Sequence, residues 1–194
     1  MIETLTEFKH RWKKLNISDA ALLVIDMQEY FLNENSHAYI PDSNHLIKNV
    51  SNTIAKFREN SRPVIHTYFA VKDGEKDSII NWWNDSVKDG TFESNIIKEL
   101  SPENDEAVIR KPTYDSFYET GLDEILKSKN IKQVVIVGVV TNLCCETSAR
   151  ESFVRGYDTF IVTDGMASYS QEMHDASIRN LAYGFATPVL SRNI

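Results

Sequence analysis

Six apolar runs of strand length punctuate the chain, at residues 20–25, 63–69, 107–110, 133–138, 159–162 and 186–190. Their hydrophobic positions are continuous rather than alternating, as in strands covered on both faces of a sheet. Between them, residues 44–60, 94–100, 121–128, 144–155 and 171–183 carry helix-like patterns, with Gly156 and Gly184 placed as stops. This alternation predicts an α/β fold: a three-layer α/β/α sandwich around a mostly parallel, doubly wound, Rossmann-like sheet of about six strands. Residues 1–194 are expected to form one domain. The spacing of Ile2, Leu5, Phe8 and Trp12 marks residues 1–19 as a helical extension. Residues 71–93, which carry Trp82 and Trp83, break the rhythm and read as a lid or interface insertion.

Composition narrows the classes of function. The chain is 42% hydrophobic and 25% charged with a net charge of −7, and no run of Lys or Arg supplies the basic face that nucleic acid or an anionic membrane requires. No stretch is long enough to span a bilayer, and residues 1–16 alternate in charge without the apolar centre of a signal peptide. The only cysteines, Cys144 and Cys145, are adjacent and build no disulfide framework. A cytoplasmic location is therefore expected. No Gly-x-Gly-x-x-Gly or Walker-type loop follows any strand, which weakens a nucleotide-binding reading.

Ligands of open α/β sheets bind beyond the carboxyl ends of the strands, so the polar residues that terminate the apolar runs matter most. The first run ends in Asp26, the third in Lys111, and the fourth enters a short turn leading to Cys144. Each has a plain structural alternative: Asp26 capping a turn, Lys111 solvated, Cys144 packed. An acid, a base and a thiol converging on one rim are harder to dismiss together. Cys144 is expected at a helix N-terminus, where free N–H groups and a nearby cation favour the thiolate. Asp26 can accept the thiol proton and return it to a leaving group, and amides around Thr141 and Cys144 can receive an oxyanion. Cys145 is expected to pack.

The segments Leu23-Val24-Ile25-Asp26-Met27-Gln28, Lys111-Pro112-Thr113-Tyr114-Asp115-Ser116-Phe117 and Gly138-Val139-Val140-Thr141-Asn142-Leu143-Cys144 resemble the isochorismatase-like cysteine hydrolase superfamily. The resemblance implies an Asp26–Lys111–Cys144 catalytic triad, an oxyanion turn at Val140 and Thr141 with a cis peptide between them, a small-molecule substrate, and homodimers or homotetramers. Nicotinamidases of that superfamily carry an Asp-x-His pair that binds a metal. Residues after Phe31 offer only His37 and His45, and His66 ends the second strand alone. No metal and no cofactor are expected, and nicotinamidase is disfavoured.

Siderophore-type isochorismatases commonly lack the cysteine, so Cys144 favours a metal-independent hydrolase of the C–N bond of a small amide, carbamoyl or ureido compound, through a thioester. The alternatives are isochorismate (vinyl ether) hydrolysis with Asp26 as acid, and a non-catalytic scaffold. Gln28, Phe31, His66, Trp83, Tyr114 and Phe117 are candidate substrate contacts. Arg110 and Arg150 are weighed as partners for a substrate carboxylate, and His10 and His174 read as surface residues.

Overall fold

In the computed structural model, which describes residues 2–41, 43–75 and 78–194, the apolar runs become β1 (Ala20–Ile25), β2 (Val64–Phe69), β3 (Ala107–Lys111), β4 (Gln133–Val139), β5 (Asp158–Ala167) and β6 (Ala186–Val189). They form one parallel sheet in the order β3-β2-β1-β4-β5-β6. The connections reverse direction between β1 and β4, and the crevice opened by that reversal at the carboxyl ends is where such sheets hold ligands. The helices are α1 (Glu29–Leu32), α2 (Ser43–Glu59), α3 (Ser78–Trp83), α4 (Leu122–Ser128), α5 (Glu146–Val154) and α6 (Gln171–Gly184).

The unbroken hydrophobicity of β1 follows from its two covered faces. Ala21, Leu23 and Ile25 pack with Leu126 of α4, Ala149 of α5 and Ile178 of α6. Leu22 and Val24 point the other way, onto Val50, Ile54 and Phe57 of α2. The α2 stripe Leu46, Val50, Thr53, Ile54 and Phe57 is buried at the helical period. A smaller cluster of Phe69, Val71, Ile79 and Val87 fixes the 71–93 segment, within which α3 forms; Lys76 and Asp77 lie outside the described residues.

Several elements depart from expectation. Residues 94–100 are not a helix but two 3-10 turns, Phe92–Ser94 and Lys98–Leu100, because the chain between them is extended and Ile96 bridges antiparallel to Gln28. β5 runs on to Ala167, past its apolar run, because a register shift at Ile136/Gly138 lets it pair again with the end of β4. The N-terminal stretch Ile2–Arg11 is a 3-10 helix, with Leu5 and Phe8 buried; Met1 and the side chain of Ile2 lie outside the described residues. Gly156 adopts φ +90 directly after α5, as a helix stop does, whereas Gly184 is simply the last residue of α6. Among the described residues no helix is long and apolar enough to cross a membrane.

Candidate functional site

β1 delivers Asp26 by leaving the sheet abruptly. Asp26 takes φ 51, a left-handed conformation that Asp tolerates better than most residues, while its N–H donates to Thr67 O at 3.1 Å. The carboxylate is fully buried. Thr67 Oγ1 donates to its Oδ1 at 3.0 Å, and Oδ2 lies 2.7 Å from Lys111 Nζ. That ion pair is close but not aligned as a hydrogen bond, so Oδ2 keeps a lone pair for another proton.

Lys111, the last residue of β3, is also completely buried. Its ammonium donates to Thr113 O at 2.8 Å and to Cys144 Sγ at 3.3 Å. Burial by itself would lower its pKa; the charge of Asp26 and, less strongly, the neighbouring Cys144 sulfur outweigh burial and raise it, so the ammonium stays charged.

The third member arrives on the turn after β4. Gly138 makes the approach of β4 to β1 possible: it sits at φ +122, and a Cβ there would stand 2.1 Å from Ile25 O. A π-helical turn, Thr141–Cys145, then raises Cys144 before α5 begins at Glu146, and Val140 O accepts from the N–H groups of Leu143 and Cys145. Cys144 is thus in the π turn, and α5 opens two residues later than expected. The cis peptide joins Val139 to Val140, one residue earlier than the Val140–Thr141 bond implied by the resemblance.

The Cys144 thiol is pushed up to about 12, chiefly by burial, with Lys111 opposing and Asp26 reinforcing the shift. Burial thus favours the neutral thiol and works against the thiolate expected from the sequence, which the Lys111 ammonium favours. Cys145 is buried deeper, in the core shared with Ala149 and Ile178.

Sγ opens onto a cavity of about 310 Å³, at the small end of ligand pockets. Phe31, Phe69, Trp83, Tyr114, Val140 and Tyr169 supply much of its wall. Trp83 Nε1 donates to Tyr114 OH at 2.6 Å, holding the 71–93 segment against the segment after β3, whereas Trp82 is 78% exposed. Of the candidate contacts, Phe31, Trp83 and Tyr114 line the cavity.

Three others do not line it. Gln28 is spent on the backbone: its Nε2 donates to Phe69 O and Ser94 O, and its Oε1 accepts from Phe69 N. His66 faces the α2 side of β2, where Nε2 lies 3.2 Å from Glu106 Oε2, and burial lowers its pKa. Phe117 stacks on Tyr157 in the core. Arg110 grips Glu75 through two nitrogens and Arg150 pairs with Glu146, so neither faces the cavity.

Two residues of the site were missed in the sequence. Thr67 holds Asp26, and period-two alternation along β2 puts it, not His66, on that face. His174, read as a surface residue, is buried with Nδ1 2.8 Å from Thr141 Oγ1, and burial lowers its pKa. The signal was the α6 stripe Ile178, Leu181 and Ala182, which reaches His174 one turn earlier. Thr141 itself is buried beneath the turn rather than on the cavity wall.

Among the described residues no group of three or more His, Cys, Asp or Glu is arranged to hold a metal; His37 pairs with Asp85, and His45 is exposed on α2.

A doubly wound parallel sheet with a buried carboxylate, ammonium and thiol at its switch point defines a Rossmann-like α/β/α fold with a cysteine at its carboxyl edge. The chain belongs to the isochorismatase family: the Isochorismatase domain model matches residues 20–193. It is 37% identical to Nicotinamidase 3 of Arabidopsis thaliana over 184 residues, 93% of this chain and 89% of that one. Among solved structures, N-carbamoylsarcosine amidase from Thermoplasma acidophilum superposes with a TM-score of 0.80 at 28% identity, over 91% of this chain and 98% of that one. A cysteine hydrolase from Pseudomonas syringae pv. phaseolicola 1448A shares the fold, with a TM-score of 0.88 at 22% identity and 92% of each chain covered.

Proposed function

We propose that this hydrolase cleaves the C–N bond of a small amide, carbamoyl or ureido compound through a thioester on Cys144. The observation that carries the reading is the position of Lys111 Nζ, 2.7 Å from Asp26 Oδ2 and 3.3 Å from the Cys144 sulfur that opens onto the cavity. The relatives named as a nicotinamidase and an N-carbamoylsarcosine amidase support a C–N bond as the target.

With a substrate carbonyl against Sγ, Asp26 takes the thiol proton as sulfur attacks carbon, and Lys111 stabilises the charge that forms on sulfur. The carbonyl becomes a tetrahedral oxyanion, received by backbone N–H groups of the Val140–Thr141 turn. Collapse breaks the C–N bond, and the proton on Asp26 passes to the leaving nitrogen. Asp26, again a carboxylate, then takes a proton from water, whose oxygen attacks the thioester; collapse releases the acid product and returns the proton to sulfur.

The thiol route is tested with Cys144→Ala on a panel of amides, carbamoyl and ureido compounds and isochorismate. Loss of nearly all ammonia release, with an acyl adduct on Cys144 of the unmodified enzyme in intact mass spectra, is the expected result. Near-full turnover of isochorismate by Cys144→Ala would replace the thiol route by acid catalysis from Asp26.

A further inference from the structure

A second polar group stands in the same cavity, separate from the acid, ammonium and thiol. Asp85 follows α3, and its Oδ2 accepts from the Tyr30 hydroxyl and lies 2.7 Å from His37 Nε2. Its Oδ1 accepts from Ser86 N at 2.9 Å. Burial would push this carboxyl upward, but the hydrogen bonds from Tyr30 and His37 outweigh it and hold the group below the ordinary carboxylate range. Tyr30, His37 and Asp85 all line the cavity. Tyr169, whose hydroxyl is pushed up to about 12 by burial and by the charges of Cys144 and Asp85, stands within electrostatic reach of both groups.

Among the described residues no Lys or Arg lines this cavity. The ammonium of Lys111 is committed to Asp26, and Arg110 and Arg150 are committed to Glu75 and Glu146. A carboxylate entering would shed its hydration against Phe31, Phe69, Trp83 and Tyr114 and would meet the Asp85 carboxylate, whose neighbour His37 is already engaged by it. The net charge of −7 adds to the cost.

We infer that Asp85 is a specificity-determining residue that turns away carboxylate-bearing compounds and admits uncharged, planar amides whose donor edge faces the Tyr30–Asp85–His37 group. This names the substrate class for the hydrolysis proposed above and rests on that reading for the reaction; the discrimination itself is a property of binding and is measured without turnover.

Terephthalamide and 4-carbamoylbenzoate have the same shape and differ in charge. Their dissociation constants are measured by calorimetry at pH 8 on Cys144→Ala, which leaves the ligands uncleaved. Terephthalamide is expected to bind tighter by about tenfold or more, the scale of a like-charge clash. Cys144→Ala with Asp85→Asn should bring the two within about threefold by improving the carboxylate, and His37→Lys, at an exposed position, should shift the balance the same way. Equal or tighter binding of 4-carbamoylbenzoate to Cys144→Ala, a ratio untouched by Asp85→Asn, or binding of neither compound overturns the inference. Intact discrimination without ammonia release from any amide by the Cys144-bearing enzyme would overturn only the proposed reaction.

Discussion

Thr67 Oγ1 donates to Asp26 Oδ1 at 3.0 Å inside a site where neither side chain meets water. A buried carboxylate depends on such donors, because the medium around it offers no solvation. Thr67→Val keeps the shape of β2 and removes the donor. It should cost about 1.5–3 kcal/mol of stability, the range for a hydrogen bond to a charged group, and lower kcat by roughly tenfold through a misplaced acid. Urea denaturation beside steady-state kinetics measures both; an unchanged kcat would mean that Thr67 supports folding only.

The Lys111–Asp26 pair gives a test in which stability and activity separate. Lys111→Met leaves the Asp26 charge buried without its partner and should cost about 3–5 kcal/mol. Lys111→Met combined with Asp26→Asn removes both charges and should recover most of that loss. Activity should stay absent in both variants, because neither regains the cation and the double variant also lacks the proton acceptor. A double variant no more stable than Lys111→Met would show that the charges are not the source of the cost.

The sheet and the cluster of Asp26, Lys111 and Cys144 were legible because burial on both faces forces continuous apolar strands, and the polar residues that terminate them meet at one rim. What could not be read was the direction of side chains leaving those ends. His66 and Thr67 are neighbours in sequence, and only the register of β2 against β1 decides which reaches Asp26. Gln28 sits two residues beyond Asp26, but the extended chain at Ile96 draws its amide into backbone bonds. Phe117 follows the Lys111 motif closely, yet its ring stacks on Tyr157, a partner 40 positions away that no local pattern reveals. Asp85 and His37 are drawn together by the 71–93 segment, whose rhythm matched no element.

Gly138 carries a prediction that does not depend on chemistry. At φ +122, with Ile25 O at 2.1 Å from an added Cβ, the clash is with backbone and no side chain can swing away. Gly138→Ala must separate β1 from β4 at the switch point, and a loss above about 4 kcal/mol is expected. Gly74, with nothing within 4 Å of an added Cβ at φ +86, is the control for positive φ alone. Thermal unfolding of Gly138→Ala and Gly74→Ala should therefore differ widely; similar melting temperatures would show that the strands can part without cost.

Burial raises the Cys144 thiol from its ordinary 9.0 to about 12, and this fixes two pH dependences. In the free enzyme the thiolate fraction should grow with pH without levelling, so iodoacetamide labelling of Cys144, followed by peptide mass, should climb about tenfold per pH unit from neutrality upward. The stability consequence has the same origin. The folded chain keeps a proton that the unfolded chain releases first, so this contribution is complete below about pH 9 and drains as pH rises toward 12. The wild-type chain should therefore lose stability relative to Cys144→Ala across that alkaline window, and not below it. A labelling plateau near neutral pH would show instead that Lys111 already holds a thiolate in the resting site, and the alkaline loss should vanish with it.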